Sequence, residues 1–320
     1  MKINYSDDIF KYLNPNGNDK LSFYRGIDLQ DLINLINAFS FPMRDSIGVP
    51  AKNTIGLEIE CEYANSSLIF DELCKSWEMV PDGTLTDGVE INSPILTDEK
   101  KCWQELKMVC ELLSKYSKIG ENCSGHIHIG KQAYADDRDT ILKFISLWTL
   151  YEPIILRFSN GEFLSSRPGL YEYACPVSYL WIYILHLSIN NHLEKDEIIK
   201  ELSTTRYYAV NFKSYYSLNT IEFRCPNGSF NPVIWQNNVN LFMKFLLALN
   251  RITIDYDLIL RKISEMSHGR ITDFNKIYLE DSLEFVDLIF DNNLDKIYFL
   301  KQYLKSLETS DRYEKARSFC

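Results

Sequence analysis

Carboxylates, imidazoles and a guanidinium recur in this chain at every second residue, inside short runs that are otherwise apolar. In Thr54-Ile55-Gly56-Leu57-Glu58-Ile59-Glu60-Cys61-Glu62-Tyr63, the apolar Leu57, Ile59 and Cys61 alternate with Glu58, Glu60 and Glu62. That period of two belongs to a half-buried strand, and it puts the three acids on one face. Val89-Glu90-Ile91 sets one carboxylate between β-branched residues. His126-Ile127-His128-Ile129 puts two imidazoles on one face, and Ile221-Glu222-Phe223-Arg224-Cys225 pairs a carboxylate with a guanidinium. Acids about 6–7 Å apart along a strand repel one another, but they suit ligands that share bound cations and phosphate oxygens. One such strand reads most simply as a solvated sheet face. Four with the same pattern predict a single sheet packed on helices through its apolar side. The open side then carries Glu58, Glu60, Glu90, His126, His128, Glu222 and Arg224.

The elements that must position these residues follow from punctuation and periodicity. Residues 1–50 read as an adapter, with a turn cluster at Asn14–Asp19 and helical spacing over Asp28–Phe39. Asn65-Ser66-Ser67 can cap a short helix over Leu68–Ser76, after which Trp77–Val80 resumes an extended pattern. Pro81-Asp82-Gly83-Thr84 is a turn, so Asp82 needs no function, although it lies close in sequence to Glu90. A helix opens at Thr97-Asp98-Glu99-Lys100 and stops at Gly120. A long amphipathic helix covers Asp137–Phe158, bent or ended near Pro153. The Gly- and Pro-containing loop 159–176 has the length of a lid or binding loop. Its Arg167 reads either as an anion contact or as a solvated arginine. Val177–Asn190 and Lys195–Leu202 follow as helices, and the run ending at Phe212 can pair with Thr220–Cys225. Beyond Pro232 the pattern is helical: Pro232–Asn250, Tyr256–Met266, Ser282–Phe290 and Leu294–Leu307.

Bulk properties narrow the class. The chain has 320 residues, 46% of them hydrophobic, which suffices for one large domain with small appendages. Its formal net charge is −10 and it has no basic block, which argues against nucleic acid as a partner. The eight cysteines lack C-x-x-C spacing, so they read as free thiols of a reducing cytoplasm rather than a zinc site or disulfide framework. Met1–Asp8 lacks the apolar core of a signal peptide. The longest apolar runs are interrupted by Lys143, Glu152, Arg157 or His186 and cannot span a bilayer. A cytoplasmic location is expected. No P-loop pattern occurs.

Taken together, five motifs carry a family resemblance. They are Gly56–Glu60, Gly88–Pro94, Cys123–His128, Arg206–Asn211 and Ile221–Arg224. In this order they resemble the amidoligase family, which is similar to glutamate–cysteine ligase and, more distantly, to glutamine synthetase. The resemblance covers about residues 55–240. It implies an α+β fold with a glutamine-synthetase-like antiparallel sheet, open on its active-site face. It also implies an amidoligase-like core over 51–240, with 241–320 as a helical extension packed on it. The implied activity is ATP-dependent ligation of a carboxylate to an amine through an acyl phosphate, with ATP and Mg²⁺ or Mn²⁺ as cofactors. By motif position Glu58, Glu60, Glu90 and Glu222 would hold metal, with Asp82 as a further acidic ligand. His126 and His128 would contact the cofactors. Arg224 would meet the transferred phosphoryl group, and Arg206 a phosphate or substrate carboxylate. The implied partners are the acid and amine substrates (amino acid, peptide or protein-linked), with a homo-oligomer left open, and neither nucleic acid nor membrane.

The chemistry supports that assignment independently. Forming an amide from a carboxylate needs activation, and phosphoryl transfer is mainly positioning and charge neutralisation by oxygen-bound Mg²⁺ and arginine. Two rivals remain. One is a metal-dependent hydrolase built on His126-x-His128, which leaves several carboxylates without a task. The other is a catalytically silent binding domain of the same fold, in which loss of some acidic positions would be expected.

Overall fold

The computed structural model describes residues 14–23, 28–37, 40–266 and 276–305. Six strands form one sheet: β1 (Ile55–Cys61), β2 (Glu78–Pro81), β3 (Val89–Asn92), β4 (Gly125–Gly130), β5 (Val210–Asn211) and β6 (Thr220–Phe223). Their order is β2-β3-β1-β4-β6-β5, and every neighbouring pair is antiparallel. The expected α+β class and antiparallel sheet are observed. The run 204–212 contributes only the two-residue edge strand β5, paired with β6 as expected.

Alternation sets the two faces. Leu57, Ile59, Ile127, Ile129, Ile221 and Phe223 are all buried on the apolar side. That side packs on α4 (Arg138–Ser159) and α9 (Pro232–Leu249), both buried along almost their whole length. Phe223 of β6 stacks flat on Phe242 of α9, with ring centroids 4.1 Å apart, and Trp148 of α4 sits 5.7 Å from the same ring. Gly125 is required by this packing, since a Cβ there would lie 2.5 Å from the Trp235 ring. α9 crosses residue 240 without interruption.

Pro153 neither ends nor breaks α4. A proline removes the N–H that would bond the carbonyl four residues back. Here that carbonyl, on Thr149, accepts instead from the Ser178 hydroxyl at 3.3 Å. The neighbouring Glu152 carboxylate accepts the N–H groups of Val177 and Ser178 and the Trp148 indole at 2.8–2.9 Å. The start of α6 (Ser178–Asn190) is thereby fixed to the middle of α4.

Two helix limits differ from expectation for the same kind of reason. α3 spans Lys100–Tyr116 rather than opening at Thr97, because Asp98 is used elsewhere. Its carboxylate accepts from Ile47 N, Val49 N, the Ser46 hydroxyl and the Trp103 indole, so it latches the incoming loop instead of capping a helix. α3 ends before Gly120, where the Ser117 hydroxyl takes the Leu113 carbonyl at 2.6 Å. The helix expected over 68–76 is α2 (Ser66–Glu72), capped by Asn65 as the sequence suggested. The polar loop 159–176 contains a single turn of helix, α5 (Leu170–Tyr173). The helical spacing read elsewhere is seen as α1 (Leu29–Asn37), α7 (Lys195–Leu202) and α10 (Tyr256–Glu265). At the C-terminal end lie α11 (Leu279–Ile289) and α12 (Asn293–Leu304). Met1–Asp8, Cys320 and the expected helix ends at Ala38–Phe39 and Ser306–Leu307 lie outside the described residues. Among the described residues the cysteines are free thiols, and no helix is long and apolar enough to cross a membrane.

Candidate active site

The polar face of the sheet forms the floor of an open cavity of about 460 Å³. Strand register builds it. Glu58 on β1 lies opposite His126 on β4, and Glu60 opposite Glu90 on β3. His128 faces Glu222 on β6, which in turn faces Asn211 on β5. Gly56 stands opposite His128, and a Cβ there would press on the His128 Cβ at 3.2 Å. The glycine therefore leaves room for the second imidazole. Glu58, Glu60, Asp82, Glu90, His126, His128, Arg206, Glu222 and Arg224 all line this one cavity.

Glu58 is the hub. Its two oxygens accept from His126 Nδ1 at 2.6 Å and His128 Nε2 at 2.9 Å. Burial alone would push its carboxyl up, but these hydrogen bonds and the imidazole charges outweigh burial and hold it well below the usual range. For His128 burial acts to lower the pKa, and Glu58 together with the Glu222 charge reverses that, so its pKa is raised. The remaining ring nitrogens are also engaged: His126 Nε2 with the Ser124 hydroxyl at 2.9 Å, and His128 Nδ1 with the Thr220 hydroxyl at 3.0 Å.

A second cluster lies towards β2 and β3. Carboxylate oxygens of Glu60, Asp82 and Glu90 come within 4.8 Å of one another. Glu60 accepts the Ser124 N–H at 2.6 Å, and Asp82 accepts the Thr84 N–H and hydroxyl at 2.8 and 2.7 Å. Burial first, and then the Glu58 charge, push the Glu90 carboxyl up. A divalent cation would relieve only the repulsive part of this shift, which comes from Glu58 and, least, from Glu60. A set of hard oxygen donors fits Mg²⁺ or Mn²⁺ better than zinc. Two further groupings also bring potential ligand atoms within 4.8 Å: Glu58, Glu90 and His126, and Glu58, His128 and Glu222.

The β5–β6 side is basic and aromatic. Arg224 donates to Glu222 through Nη1 and to the Tyr173 carbonyl through Nε. Exposed Arg206 lies over the Tyr207 ring, 5.1 Å from its centroid. Arg167 lines the cavity but is not the solvated arginine of one sequence reading. It is buried and donates to the carbonyls of Arg224, Cys225 and Pro226, so it fixes the chain leaving β6. Glu62 shares the parity of Glu58 and Glu60 but lies beyond the end of β1. It accepts Thr86 N–H at 3.0 Å and the Asn122 amide at 3.1 Å, a turn-holding role. Residues that strand patterning did not assign also line the cavity, among them Ser124, Tyr173, Asn211 and Lys213. Ser124 and Asn211 stand inside two of the motifs, which was the available signal; Tyr173 ends the single helical turn α5 and Lys213 lies between β5 and the next short helix, both settings too short for a period to be read.

Comparison with known proteins bears on this geometry directly. Residues 51–162 match the model of a family described as "Putative amidoligase enzyme". That stretch is amidoligase-like. It contains Glu58, Glu60, Asp82, Glu90, His126 and His128, whereas Arg206, Glu222 and Arg224 lie beyond it. The fold joins the two sets, because β6 lies beside β4 of the amidoligase stretch. No curated protein matches the chain.

Proposed function

We propose that the protein is an ATP-dependent carboxylate–amine ligase that forms an amide bond through an acyl phosphate. The family description supports amide-bond formation. The observation that carries the finer reading is the convergence of Glu60, Asp82 and Glu90 beside the Glu58–His126–His128 network on one open sheet face. Magnesium held by these acids would neutralise phosphate charge. The chain's own residues do the rest. Glu58, Glu60, Glu90 and Glu222, with Asp82, supply oxygen ligands. His126 and His128, which both hydrogen-bond Glu58, orient it beside the bound cofactor. Arg224 offsets charge on the phosphoryl group as a substrate carboxylate oxygen displaces ADP. Arg206 meets a phosphate or the substrate carboxylate. Attack of the amine nitrogen on the acyl carbon then releases phosphate and leaves the amide.

A zinc hydrolase is disfavoured by the imidazoles themselves. Every ring nitrogen of His126 and His128 already has a protein partner, which suits an orienting role. The test is ADP release with Mg²⁺, ATP and pooled amino acids, peptides and polyamines. Release that requires both an acid and an amine supports the ligase. Amide hydrolysis without ATP, by protein carrying stoichiometric zinc that is lost in His126→Ala, would overturn it.

A further inference from the structure

Glu222 is buried, and each of its oxygens takes one donor. Arg224 Nη1 bonds Oε1, and the Asn211 side-chain amide bonds Oε2 at 2.6 Å. Asn211 is also buried, and its own side-chain carbonyl accepts the Lys213 N–H at 2.8 Å, an Asx-turn that starts the segment leading into α8 (Ser214–Ser217). Both ends of this one side chain are thus used, one on the site and one on its own backbone. β5 is only two residues long and lies at the sheet edge, so its backbone ladder is a weak anchor for a side chain facing the cavity.

We infer that Asn211 is a positioning residue that acts through Glu222. Occupying Oε2 turns Oε1 towards Arg224 and towards His126, whose Nδ1 is 3.9 Å away. A carboxylate with rotatable side-chain bonds and a free end would lose entropy on binding a cation; one already held by an amide has lost it beforehand. In this role Asn211 would touch neither the cation nor the reacting atoms, its amide ending on Glu222. The inference rests on the proposal that Glu222 is a metal ligand.

The test is Mn²⁺ titration of the full chain followed by electron paramagnetic resonance, without nucleotide. Asn211→Ser keeps an oxygen that can accept the Lys213 N–H but cannot reach Glu222. It should raise the Mn²⁺ Kd roughly 10–100-fold, the usual effect of removing a partner that orients a ligand. Glu222→Gln should weaken binding at least as much. The double variant should bind within about twofold of Glu222→Gln alone, because a residue acting through Glu222 has nothing left to act on. Wild-type affinity in Asn211→Ser, with Glu222→Gln weakened, overturns the inference and leaves the metal reading standing. An equal further loss in the double variant shows a general structural role and also overturns it. Wild-type affinity in Glu222→Gln removes both together. Should Asn211→Ser fail to fold, Asn211→Thr carries the same test with a residue suited to strands.

Discussion

The Arg224 guanidinium, one residue past the end of β6, donates to the Glu222 carboxylate two residues back, while its Nε donates to the Tyr173 carbonyl at 3.3 Å. One planar cation therefore joins β6 to α5 and faces the cavity. A lysine keeps the charge but cannot hold both partners in this fork. Arg224→Lys should retain the wild-type melting temperature and lose about 100-fold in turnover, the scale of one transition-state donor. Near-normal turnover would reduce Arg224 to a sheet-face ion pair.

Glu60 and Glu90 stand directly opposite on β1 and β3, where like charges destabilise a sheet by about 0.2–1 kcal/mol. Glu90→Gln should therefore raise metal-free stability by that order. It should also blunt stabilisation by Mn²⁺, which for the wild type reaches about 2.7 kcal/mol at one hundred times Kd. Thermal melts with and without Mn²⁺ check both halves. A variant that gains nothing without metal and responds fully to it is inconsistent with the carboxylate cluster as a cation site.

Lys305 is buried, and burial, followed by the Arg157 charge, pushes its ammonium down to about 7 from 10.5. Below that value the folded and unfolded chains both carry the proton. Above it the folded chain releases the proton while the unfolded chain keeps it until about pH 10.5. The unfolded state then binds more protons, so this group's contribution to stability rises with pH across that window. From urea midpoints at about pH 6.5, 8 and 9, on either side of the folded value, the wild type should gain steadily on Lys305→Met as pH rises. Parallel pH profiles would mean Lys305 titrates normally.

Glu152 supplies the acceptor for three donors at the junction of α4 and α6. Glu152→Ala leaves them buried without a partner, at about 1–3 kcal/mol for each that water cannot reach. A loss of about 3 kcal/mol or more is expected from urea denaturation, and a smaller one for Glu152→Gln, which keeps one acceptor oxygen. A loss below about 1 kcal/mol for the alanine variant would show that the junction rearranges freely.

The sheet was legible because alternation is a local property. Leu57 and Ile59 go inward, so Glu58 and Glu60 must share the other face, and register carries that parity to His126, His128 and Glu222. Parity does not say where a strand ends, which is why Glu62 matched the pattern while serving a turn. It is silent about loops as well. Arg167 became a buried backbone clamp and Asp98 a loop latch through partners 49–59 residues away, beyond any local window of sequence. Asn211 was visible in a motif, but its task depends on Glu222 eleven residues later folding back beside it. Pro153 reads in sequence as a bend or an end; the end is excluded, since the helix runs on past it with a replacement hydrogen bond from Ser178 on another helix.

The segment 14–22 has its anchors in α11 and α12. Asp287 receives the Leu21 and Ser22 N–H groups, and Asn293 receives the Asp19 N–H and donates to the Asn14 carbonyl; these partners lie 265–279 residues further along the chain. During translation the segment leaves the ribosome long before anything it binds has been made. The sheet and its cavity can assemble meanwhile, since all six strands lie before residue 224. Seating of 14–22 must therefore be a late event, awaiting the synthesis of α11 and α12.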